Sequence, residues 1–283
     1  MKVLFVGFGD IARRVANALP ENTAVGLCRN PHNKQPTGVE LRAVDVTDRQ
    51  ALATVLREPF DYVVATLTPS EMSAAGYRAS YLAAAQQLAE LLPQHRSLRR
   101  LFWVSSSSVY GAQIGQGWVT EESEAAPQRL TAKVLLEAEQ SLAQLPTTVL
   151  RFSGIYGPGR RRLLSIIAAG GPLPGSPSQW SNRIHSDDGA AFIAHLMARD
   201  CRGEVVEPLY IVTDSAPTAL GEVADWLAGQ LQCRPVTAQK VDPQRGGKRL
   251  SNQRLLASGY ELRYPSYREG YAALLRTGDN LQD

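Results

Sequence analysis

The sequence predicts an α/β fold, with a doubly wound parallel sheet and a smaller second domain towards the C-terminus. Two observations support this prediction. Short apolar runs alternate with helical patterns, and a glycine-rich turn directly follows the first apolar run. Alternation of this kind builds βαβ units, whose right-handed crossovers make the strands parallel and place helices on both faces of the sheet.

Composition excludes several classes of protein. The chain has 283 residues, of which 44% are hydrophobic and 20% charged, which is ordinary for a globular protein. Its net charge of +3 is too small to predict a nucleic-acid or anionic-membrane partner. The 3 cysteines are too few and too scattered for a disulfide framework or a zinc site. No run is apolar enough for a membrane helix or a signal peptide, so we expect a cytoplasmic protein. We also expect no metal site.

The strands and helices follow from these patterns. One late strand, Leu209–Val212, is expected to return to the same sheet as the earlier ones. The other predicted strands are Lys2–Val6, Thr23–Leu27, Leu41–Val44, Tyr62–Thr66, Arg100–Ser105 and Thr147–Phe152, and the helices are Ile11–Leu19, Arg49–Leu56, Tyr77–Leu92 and Ala132–Leu145.

The turn after the first strand has the spacing G-x-G-x-x-A. Gly7 permits the tight turn, Gly9 lets the backbone approach a pyrophosphate, and Ala12 is small enough for the helix to pack on the sheet. Asp10 and Ile11 begin that helix, whose free N–H groups would face the phosphates, although the Asp10 carboxylate would repel them. A plain strand-to-helix turn is the alternative. The context favours a Rossmann-type dinucleotide-binding domain.

The choice between NAD and NADP depends on the end of the second strand. An NAD site carries an acid there to hold the ribose hydroxyls, but residues 27–29 are Leu-Cys-Arg. Arg29 is suited to a 2′-phosphate, so NADP is favoured over NAD; a solvated surface charge is the alternative. Asp45 and Val46, after the third strand, are expected to flank the adenine. Thr66, at the end of the fourth strand, is a further cofactor candidate.

Two domains are predicted. Residues 1–156 and 184–214 form the dinucleotide-binding domain, and residues 157–183 and 215–283 form the substrate-binding domain. The stretch Ala168–Asn182 is rich in Gly, Pro and Ser and is predicted to be a long loop and a candidate lid.

Three further segments carry a resemblance to a known family. Phe102–Gly111 (FWVSSSSVYG), Leu150–Gly159 (LRFSGIYGPG) and Asn182–Ala190 (NRIHSDDGA) follow the glycine turn in order. Together they resemble the extended short-chain dehydrogenases/reductases, in particular the NAD-dependent epimerase/dehydratase group. The resemblance implies a nicotinamide cofactor and a small-molecule substrate, with a nucleotide sugar as the family-based choice. It also implies a homodimer through the helices Tyr77–Leu92 and Ala132–Leu145; packing of their apolar faces inside one subunit is the alternative.

The resemblance also assigns catalytic roles, with one departure. It implies that Ser106 binds the substrate oxygen and that Lys133 holds the nicotinamide ribose. The family motif Y-x-x-x-K has a tyrosine as the acid/base, but Arg129 stands four residues before Lys133. Residues four apart share a helix face, so Arg129 is expected to project where the tyrosine would. Arginine stays protonated and cannot act as a base, but it can bind an anion or polarise a carbonyl.

The proton-transfer role is therefore open. Tyr110 is the first candidate, and Tyr81, Tyr156 or a water held by Ser106 are the others. For Tyr110, an aromatic side chain that packs at the mouth of the sheet is the alternative interpretation.

Other charged residues have ordinary explanations beside functional ones. Ser186 or Asp187 is expected to cap a helix Asp188–Ala198, which is favoured over a metal site with His185. Arg160-Arg161-Arg162, Lys248 and Arg249 form either a positive rim that holds a substrate anion or a solvated face.

Two functions are consistent with these residues. The first is an NAD(P)-dependent oxidoreductase, epimerase or dehydratase that acts on a hydroxyl or keto group. The second is an NAD(P)-binding sensor or regulator that kept the fold and lost turnover, as the arginine at position 129 suggests.

Overall fold

The computed structural model describes residues 1–19, 23–31, 38–112, 117–174, 179–234 and 247–276. A seven-stranded sheet forms its centre. The strands of this sheet are β1 (Lys2–Val6), β2 (Thr23–Cys28), β3 (Val39–Ala43), β4 (Tyr62–Ala65), β5 (Arg100–Ser106), β7 (Thr147–Phe152) and β11 (Leu209–Val212). Short strands outside it are β6 (Trp118–Val119), β8 (Gly154–Tyr156), β9 (Trp180–Ser181), β10 (Arg183–His185), β12 (Thr218–Ala219) and β13 (Arg249–Leu250).

Helices connect the strands. They are α1 (Asp10–Ala18), α2 (Arg49–Val55), α3 (Ala74–Tyr77), α4 (Ala83–Leu91), α5 (Leu130–Ser141), α6 (Arg162–Ala168), α7 (Ser186–Cys201), α8 (Leu220–Gln230), α9 (Gln253–Ala257) and α10 (Tyr267–Arg276). A π-helical turn, Arg78–Leu82, joins α3 to α4, so the helix predicted from Tyr77 begins three residues earlier and is interrupted. Within the described residues, no helix is both long enough and apolar enough to cross a membrane.

The sheet confirms the predicted fold class. Its strand order is β11-β7-β5-β4-β1-β2-β3, and β1 pairs in parallel with both β2 and β4. Along the chain, β1, β2 and β3 therefore build one side of the sheet, and β4, β5, β7 and β11 then build the other. This reversal leaves a crevice at the carboxyl ends of β1 and β4, where open α/β sheets bind ligands.

Burial explains why these segments form a parallel sheet. In β1, Val3, Leu4, Phe5 and Val6 are all completely buried, although their side chains alternate between the two faces. A strand that is apolar on both faces needs helices on both sides, as in doubly wound folds. On α1, Ile11, Ala12 and Val15 supply a buried face.

The chain packs into two compact units. The first comprises Met1–Val109, Arg129–Arg151 and Ala190–Tyr210, and the second comprises Tyr110–Gln128, Phe152–Gly189 and Ile211–Asp283. Each unit has its own apolar core, which contains the strands β1, β2 and β4 in the first and the helices α6, α8 and α10 in the second. The functional division predicted from the sequence, into a dinucleotide domain and a substrate domain, remains a prediction.

Two local predictions are corrected in the second unit. The helix expected at Asp188 begins at Ser186, so neither Ser186 nor Asp187 precedes it as a cap. Instead, the Asp187 N–H donates to the imidazole Nδ1 of His185 at 3.2 Å, so a ring nitrogen satisfies a first-turn amide.

The predicted loop Ala168–Asn182 is not wholly irregular. Trp180–Ser181 forms β9 and pairs antiparallel with β12. Residues 175–178 of this loop lie outside the described residues, and its role as a lid remains a prediction.

Candidate functional site

A pocket of about 460 Å³ opens at the carboxyl ends of β1, β2, β3 and β4 in the first unit. This "glycine pocket" is lined by Gly7, Phe8, Gly9, Leu27, Cys28, Arg29, Asn30, Val44, Asp45, Val46, Thr47, Thr66, Leu67, Thr68, Ser70, Ala79 and Ser80. Its size lies within the range of small-molecule sites. Six residues predicted from the sequence to bind a cofactor share this lining: Gly7, Gly9, Arg29, Asp45, Val46 and Thr66.

The glycine turn shapes the inner wall of the pocket. Gly7 has φ +84°, and a Cβ there would lie 2.9 Å from the carbonyl oxygen of Thr66, so only glycine fits without strain. A Cβ on Gly9 would meet no protein atom within 4 Å. Because Gly9 lines the pocket, a side chain there would take up ligand space rather than disturb the protein.

The amino end of α1 adjoins this turn. Gly9 is its N-cap residue and provides no side-chain acceptor for the first amides. Asp10 and Ile11 open the helix but do not line the pocket. The Asp10 carboxylate forms ion pairs with Arg13 at 3.2 Å and Arg14 at 2.9 Å. These partners reduce the repulsion that the carboxylate would exert on a bound phosphate.

Charged groups lie at the outer wall of the pocket. Arg29 is exposed, directly after β2. Asp45 accepts hydrogen bonds from the Thr47 N–H at 3.0 Å and the Thr47 hydroxyl at 2.7 Å. These two bonds, helped by the charge of Arg29, hold the pKa of Asp45 below its usual value. Asp45 is therefore an ionised acceptor beside a cationic side chain.

Sequence reasoning missed several lining residues after β4. Thr66 was predicted, and its hydroxyl donates to the Gly7 carbonyl oxygen at 2.7 Å, which ties the glycine turn to β4. Thr68 and Ser70 follow it along the wall, with Ser80 from the π-helical turn. For Thr68 and Ser70 the signal was their position, because polar residues directly after a central parallel strand lie at the ligand-binding edge.

The predicted catalytic residues lie outside the lining of this pocket. Ser106 ends β5 and is half-buried, and its hydroxyl oxygen accepts the Ser108 N–H at 3.2 Å. The hydroxyl of the neighbouring Ser105 donates a hydrogen bond to the Glu139 carboxylate. Glu139 in turn forms a buried ion pair with Arg151, 2.6 Å apart.

Arg129 lies immediately before α5 and not within it. Lys133 lies on α5 and is exposed, whereas Arg129 is the N-cap residue, with extended backbone at φ −75° and ψ 140°. The Lys133 N–H donates to the Arg129 carbonyl oxygen at 3.0 Å, which is the bond that a cap residue receives. Because Arg129 precedes the helical backbone, the spacing of four alone does not establish a shared helix face, and this expectation stays a prediction.

Tyr110 belongs to the second unit and is completely buried. It closes a 3₁₀ turn, Ser107–Tyr110, and is followed by Gly111 with φ +67°. The burial fits the packing interpretation of this tyrosine. Its role in proton transfer stays a prediction.

Lys248 does not belong to a solvated face, and this alternative is corrected. Its side chain is 8% exposed, and its Nζ donates to the Gly111 carbonyl oxygen at 2.6 Å. Burial lowers the pKa of this amine to about 8. The neighbouring Arg249 guanidinium lies 5.2 Å from the Trp118 ring and 5.3 Å from the Trp180 ring. Stacking on aromatic rings, rather than solvation, positions it.

His185 lies inside an aromatic cluster. It is 1% exposed, and its ring centroid is 4.0 Å from that of Tyr264 and 5.3 Å from that of Tyr156. Across the described ranges, no group of three or more His, Cys, Asp or Glu side chains is arranged to hold a metal ion.

Comparisons with known proteins agree with the sheet topology. A protein from Methylobacillus flagellatus, described as a candidate NAD-dependent epimerase/dehydratase, shares 37% identity over 98% of both chains, with a TM-score of 0.83. The dTDP-glucose 4,6-dehydratase of Bacillus anthracis, solved with NAD, has a TM-score of 0.81 at 18% identity and covers 99% of this chain and 98% of its own. The UDP-glucose 4-epimerase of Thermus thermophilus, also in complex with NAD, has a TM-score of 0.77 at 20% identity, with 95% and 96% covered.

The last two similarities concern the fold alone. No curated protein sequence matches the chain. A sequence model of the NAD-dependent epimerase/dehydratase family matches residues 7–208, most of the chain. On this match and on the 37% identity over nearly the full length, the protein belongs to the NAD-dependent epimerase/dehydratase family.

Proposed function

We propose that the protein binds NADP, with NAD as the alternative, and acts on a hydroxyl or keto group of a small molecule as an oxidoreductase, epimerase or dehydratase. The observation that supports this best is the glycine pocket. It combines a glycine turn, a helix amino end and an exposed arginine at the edge where doubly wound sheets bind dinucleotides.

The glycine pocket fits a dinucleotide. The open space where a Cβ of Gly9 would project leaves room for a pyrophosphate against the backbone. The first amides of α1, which lack a side-chain cap, would donate to it. Asp45 and Val46 would lie beside the adenine, and Thr66 would support the turn.

The preference for NADP rests on Arg29. It lies on the pocket wall directly after β2, the place where NAD-binding relatives of this fold carry an acid for the ribose hydroxyls. A guanidinium there matches a 2′-phosphate in charge and in hydrogen-bond geometry.

When bound, a nicotinamide cofactor takes up or supplies a hydride. The chain would orient the substrate and stabilise developing charge. Ser106 would hold the reacting oxygen by a hydrogen bond, and Lys133 would hold the nicotinamide ribose. Arg129 would contribute positive charge near a developing alkoxide, as fixed electrostatic stabilisation. It would not accept the proton, because a guanidinium stays protonated.

A nucleotide sugar is the substrate class that we propose. Two structural neighbours are named as enzymes of this kind, the B. anthracis dTDP-glucose dehydratase and the T. thermophilus UDP-glucose epimerase. We also place the protein in the cytosol, since its cysteines are all unpaired, and expect a homodimer through α4 and α5.

Titration with NADPH and NADH tests the cofactor assignment. We expect tighter binding of NADPH, and a loss of about tenfold in the affinity for NADPH but not NADH in Arg29→Ala, because a charge-assisted bond to the 2′-phosphate is removed. Arg202→Ala, an exposed arginine of the first unit outside the pocket lining, is the matched control. Equal affinities with no effect of Arg29→Ala would refute the NADP preference, and absence of binding would refute the proposal.

A binding protein without turnover is the second candidate. It is favoured by Arg129, which occupies the position of the family tyrosine and precedes α5 with extended backbone. Incubation of the NADP-loaded protein with nucleotide sugars, followed by absorbance of the reduced cofactor and by product analysis, separates the two. Conversion of a sugar supports an enzyme; cofactor binding without any conversion supports the sensor.

A further inference from the structure

The helical segment that follows β4 is interrupted where it meets the glycine pocket. The π-helical turn Arg78–Leu82 separates α3 from α4, and the Ala83 N–H donates to the Arg78 carbonyl oxygen, five residues earlier rather than four as in an α-helix. The Ser80 hydroxyl donates to the Gly76 carbonyl oxygen at 2.7 Å beside this turn. Single π-helical turns are uncommon and are found frequently at functional sites. The place of this one at the pocket therefore indicates a functional role.

The π-helical turn forms part of the wall of the glycine pocket. Ala79 and Ser80 belong to the lining, and Ala79 is exposed. The same lining includes Arg29, after β2, which we assign to the 2′-phosphate. Ser106 and Lys133, which we assign to the substrate oxygen and the nicotinamide ribose, lie outside it. The pocket is therefore suited to the adenosine half of the cofactor, and the turn contributes one of its walls.

Tyr81 connects the turn to a second part of the same wall. Its hydroxyl donates to the Leu67 carbonyl oxygen at 2.7 Å. Residues 67–70 follow β4 without forming a helix or a strand, and they supply Leu67, Thr68 and Ser70 to the pocket lining. A segment outside helices and strands depends on bonds from side chains to fix its backbone. The Tyr81 hydroxyl therefore holds the start of a segment that faces the pocket.

The Tyr81 ring is itself held in place. It stacks on the Tyr77 ring, with centroids 5.4 Å apart, and lies edge-on to the Trp103 ring of β5, with centroids 6.3 Å apart. Trp103 is completely buried, and both tyrosines pack against the apolar core of the first unit. A ring enclosed in this way has few other orientations, so its hydroxyl holds the carbonyl oxygen at a fixed place before any ligand binds.

We infer that Tyr81 is a positioning residue of the glycine pocket: it fixes residues 67–70 beside the π-helical turn, so that the two together enclose the adenosine half of the cofactor. The inference rests on the proposed binding of NADP. Tyr81 is not part of the pocket lining and acts through the Leu67 carbonyl oxygen. Without its hydroxyl, residues 67–70 would be ordered only when the ligand binds, and the cost of ordering them would lower the affinity.

Tyr81→Phe in the full-length protein removes the hydroxyl and keeps the ring. Calorimetry should show that NADPH and adenosine 2′,5′-bisphosphate both bind about fivefold more weakly, because one neutral hydrogen bond is lost and both ligands carry the adenosine half. Hydrogen exchange without ligand should be faster at the amides of residues 67–70. Tyr77→Phe is the matched control, since the Tyr77 ring stacks on Tyr81 but its hydroxyl has no hydrogen-bond partner among the described residues. It should change neither measurement.

Ala79→Leu tests whether the π-helical turn faces the ligand. A larger side chain at this lining position should take up ligand space and weaken the binding of both ligands by about tenfold. Ala75→Leu, at an exposed alanine of α3 outside the pocket lining, is the control and should leave both affinities unchanged. An unchanged affinity in Ala79→Leu would show that the turn does not enclose the ligand, and the inference would be wrong.

The behaviour of the parent separates a failure of this inference from a failure of the proposed function. If the parent does not bind NADPH, the proposed function is refuted, and the inference with it. If the parent binds NADPH and Tyr81→Phe binds it equally well, or exchange at residues 67–70 is unchanged, the positioning role alone is overturned. A lower midpoint of urea unfolding in Tyr81→Phe, with affinity and exchange as in the parent, would assign Tyr81 to stability only and would also overturn it.

Discussion

The glycine pocket of the first unit and the polar interior of the second unit differ in where their charged groups lie. At the glycine pocket, Arg29 and Asp45 are exposed, and the glycine turn brings backbone to the wall beside uncharged side chains. In the second unit, Arg183, Lys248 and Asp214 are each more than nine-tenths buried. Backbone geometry shapes the first region, whereas desolvated charge characterises the second.

Two buried groups of the second unit have shifted pKa values. Burial raises the pKa of Asp214 to about 7 and lowers that of Lys248 to about 8, because both groups lose solvation of their charged forms. The stability of the second unit should therefore change with pH near neutrality. The described lining of the glycine pocket contains no buried carboxylate, amine or guanidinium group.

Asp214→Asn should have the largest effect. The Asp214 Oδ1 accepts the Ala216 N–H at 3.1 Å, and its Oδ2 has no hydrogen-bond partner among the described residues. A raised pKa means that the folded state holds a proton that the unfolded state releases, so stability falls as pH rises from about 4 through 7. Between about pH 4 and pH 8, the stability of the parent should fall by about 3 kcal/mol relative to the variant.

Urea unfolding at several pH values, followed by tryptophan fluorescence, measures this effect. The asparagine keeps an acceptor for the Ala216 N–H, so the comparison isolates the ionisation. Asp225→Asn is the matched control, an exposed aspartate of the same unit on α8. If the free energy of unfolding changed with pH in the same way for the parent and for Asp214→Asn, the pKa of Asp214 would be unshifted and the prediction would be wrong.

Lys248→Met should produce a smaller effect with the opposite pH dependence. A lowered amine pKa means that burial of the charge destabilises the fold below about pH 8 and that this cost is relieved as pH rises. The variant should be about 2 kcal/mol more stable at neutral pH, after loss of the Nζ bond to Gly111, and this advantage should disappear towards about pH 10. Lys133→Met, an exposed lysine, should show no such dependence. An unchanged or lower stability of Lys248→Met at neutral pH would contradict the burial cost.

The contrast between local backbone geometry and buried charge also explains which features could be predicted from the sequence. The strands β1, β7 and β11 have the predicted limits at both ends, since local apolar runs determine them. The glycine turn was also readable, because Gly7 and Gly9 act through their own backbone. Both features depend on the local sequence, so apolar runs and glycine spacing were enough to predict them.

Features that depend on distant partners could not be predicted. Lys248 is buried because β13 pairs with β6, more than a hundred residues earlier, and the preceding Gly247 N–H donates to the Ala112 carbonyl oxygen. The start of α5 depends on a local detail: the helix begins at Leu130, two residues before the predicted Ala132, and this makes Arg129 its N-cap residue. A pattern of side chains does not locate a cap to within one residue.

Gly9→Ala examines the glycine pocket without disturbing the fold. Because a Cβ there meets no protein atom within 4 Å, thermal stability should fall only slightly, through the poorer capping of α1 by alanine. The affinity for NADPH should fall by about tenfold, or about 1.4 kcal/mol. Gly117→Ala, where a Cβ is equally free but the residue lies outside the pocket, is the control for binding. Unchanged affinity in Gly9→Ala would place the phosphates elsewhere.

Thr66→Val should have the smallest effect and tests how the glycine turn is held. Valine matches threonine in shape but cannot donate to the Gly7 carbonyl oxygen, which now receives the Thr66 hydroxyl at 2.7 Å. Loss of one such bond should lower the free energy of unfolding by about 1 kcal/mol and weaken NADPH binding by less than Gly9→Ala does. Thr54→Val, which removes a hydroxyl bond to the Gln50 carbonyl on the exposed helix α2, is the matched control. If Thr66→Val weakened NADPH binding as much as Gly9→Ala, the Thr66 hydroxyl would contribute as much to binding as the open backbone at Gly9. The contrast between the glycine pocket and the second unit, where charged side chains are buried, would then be smaller.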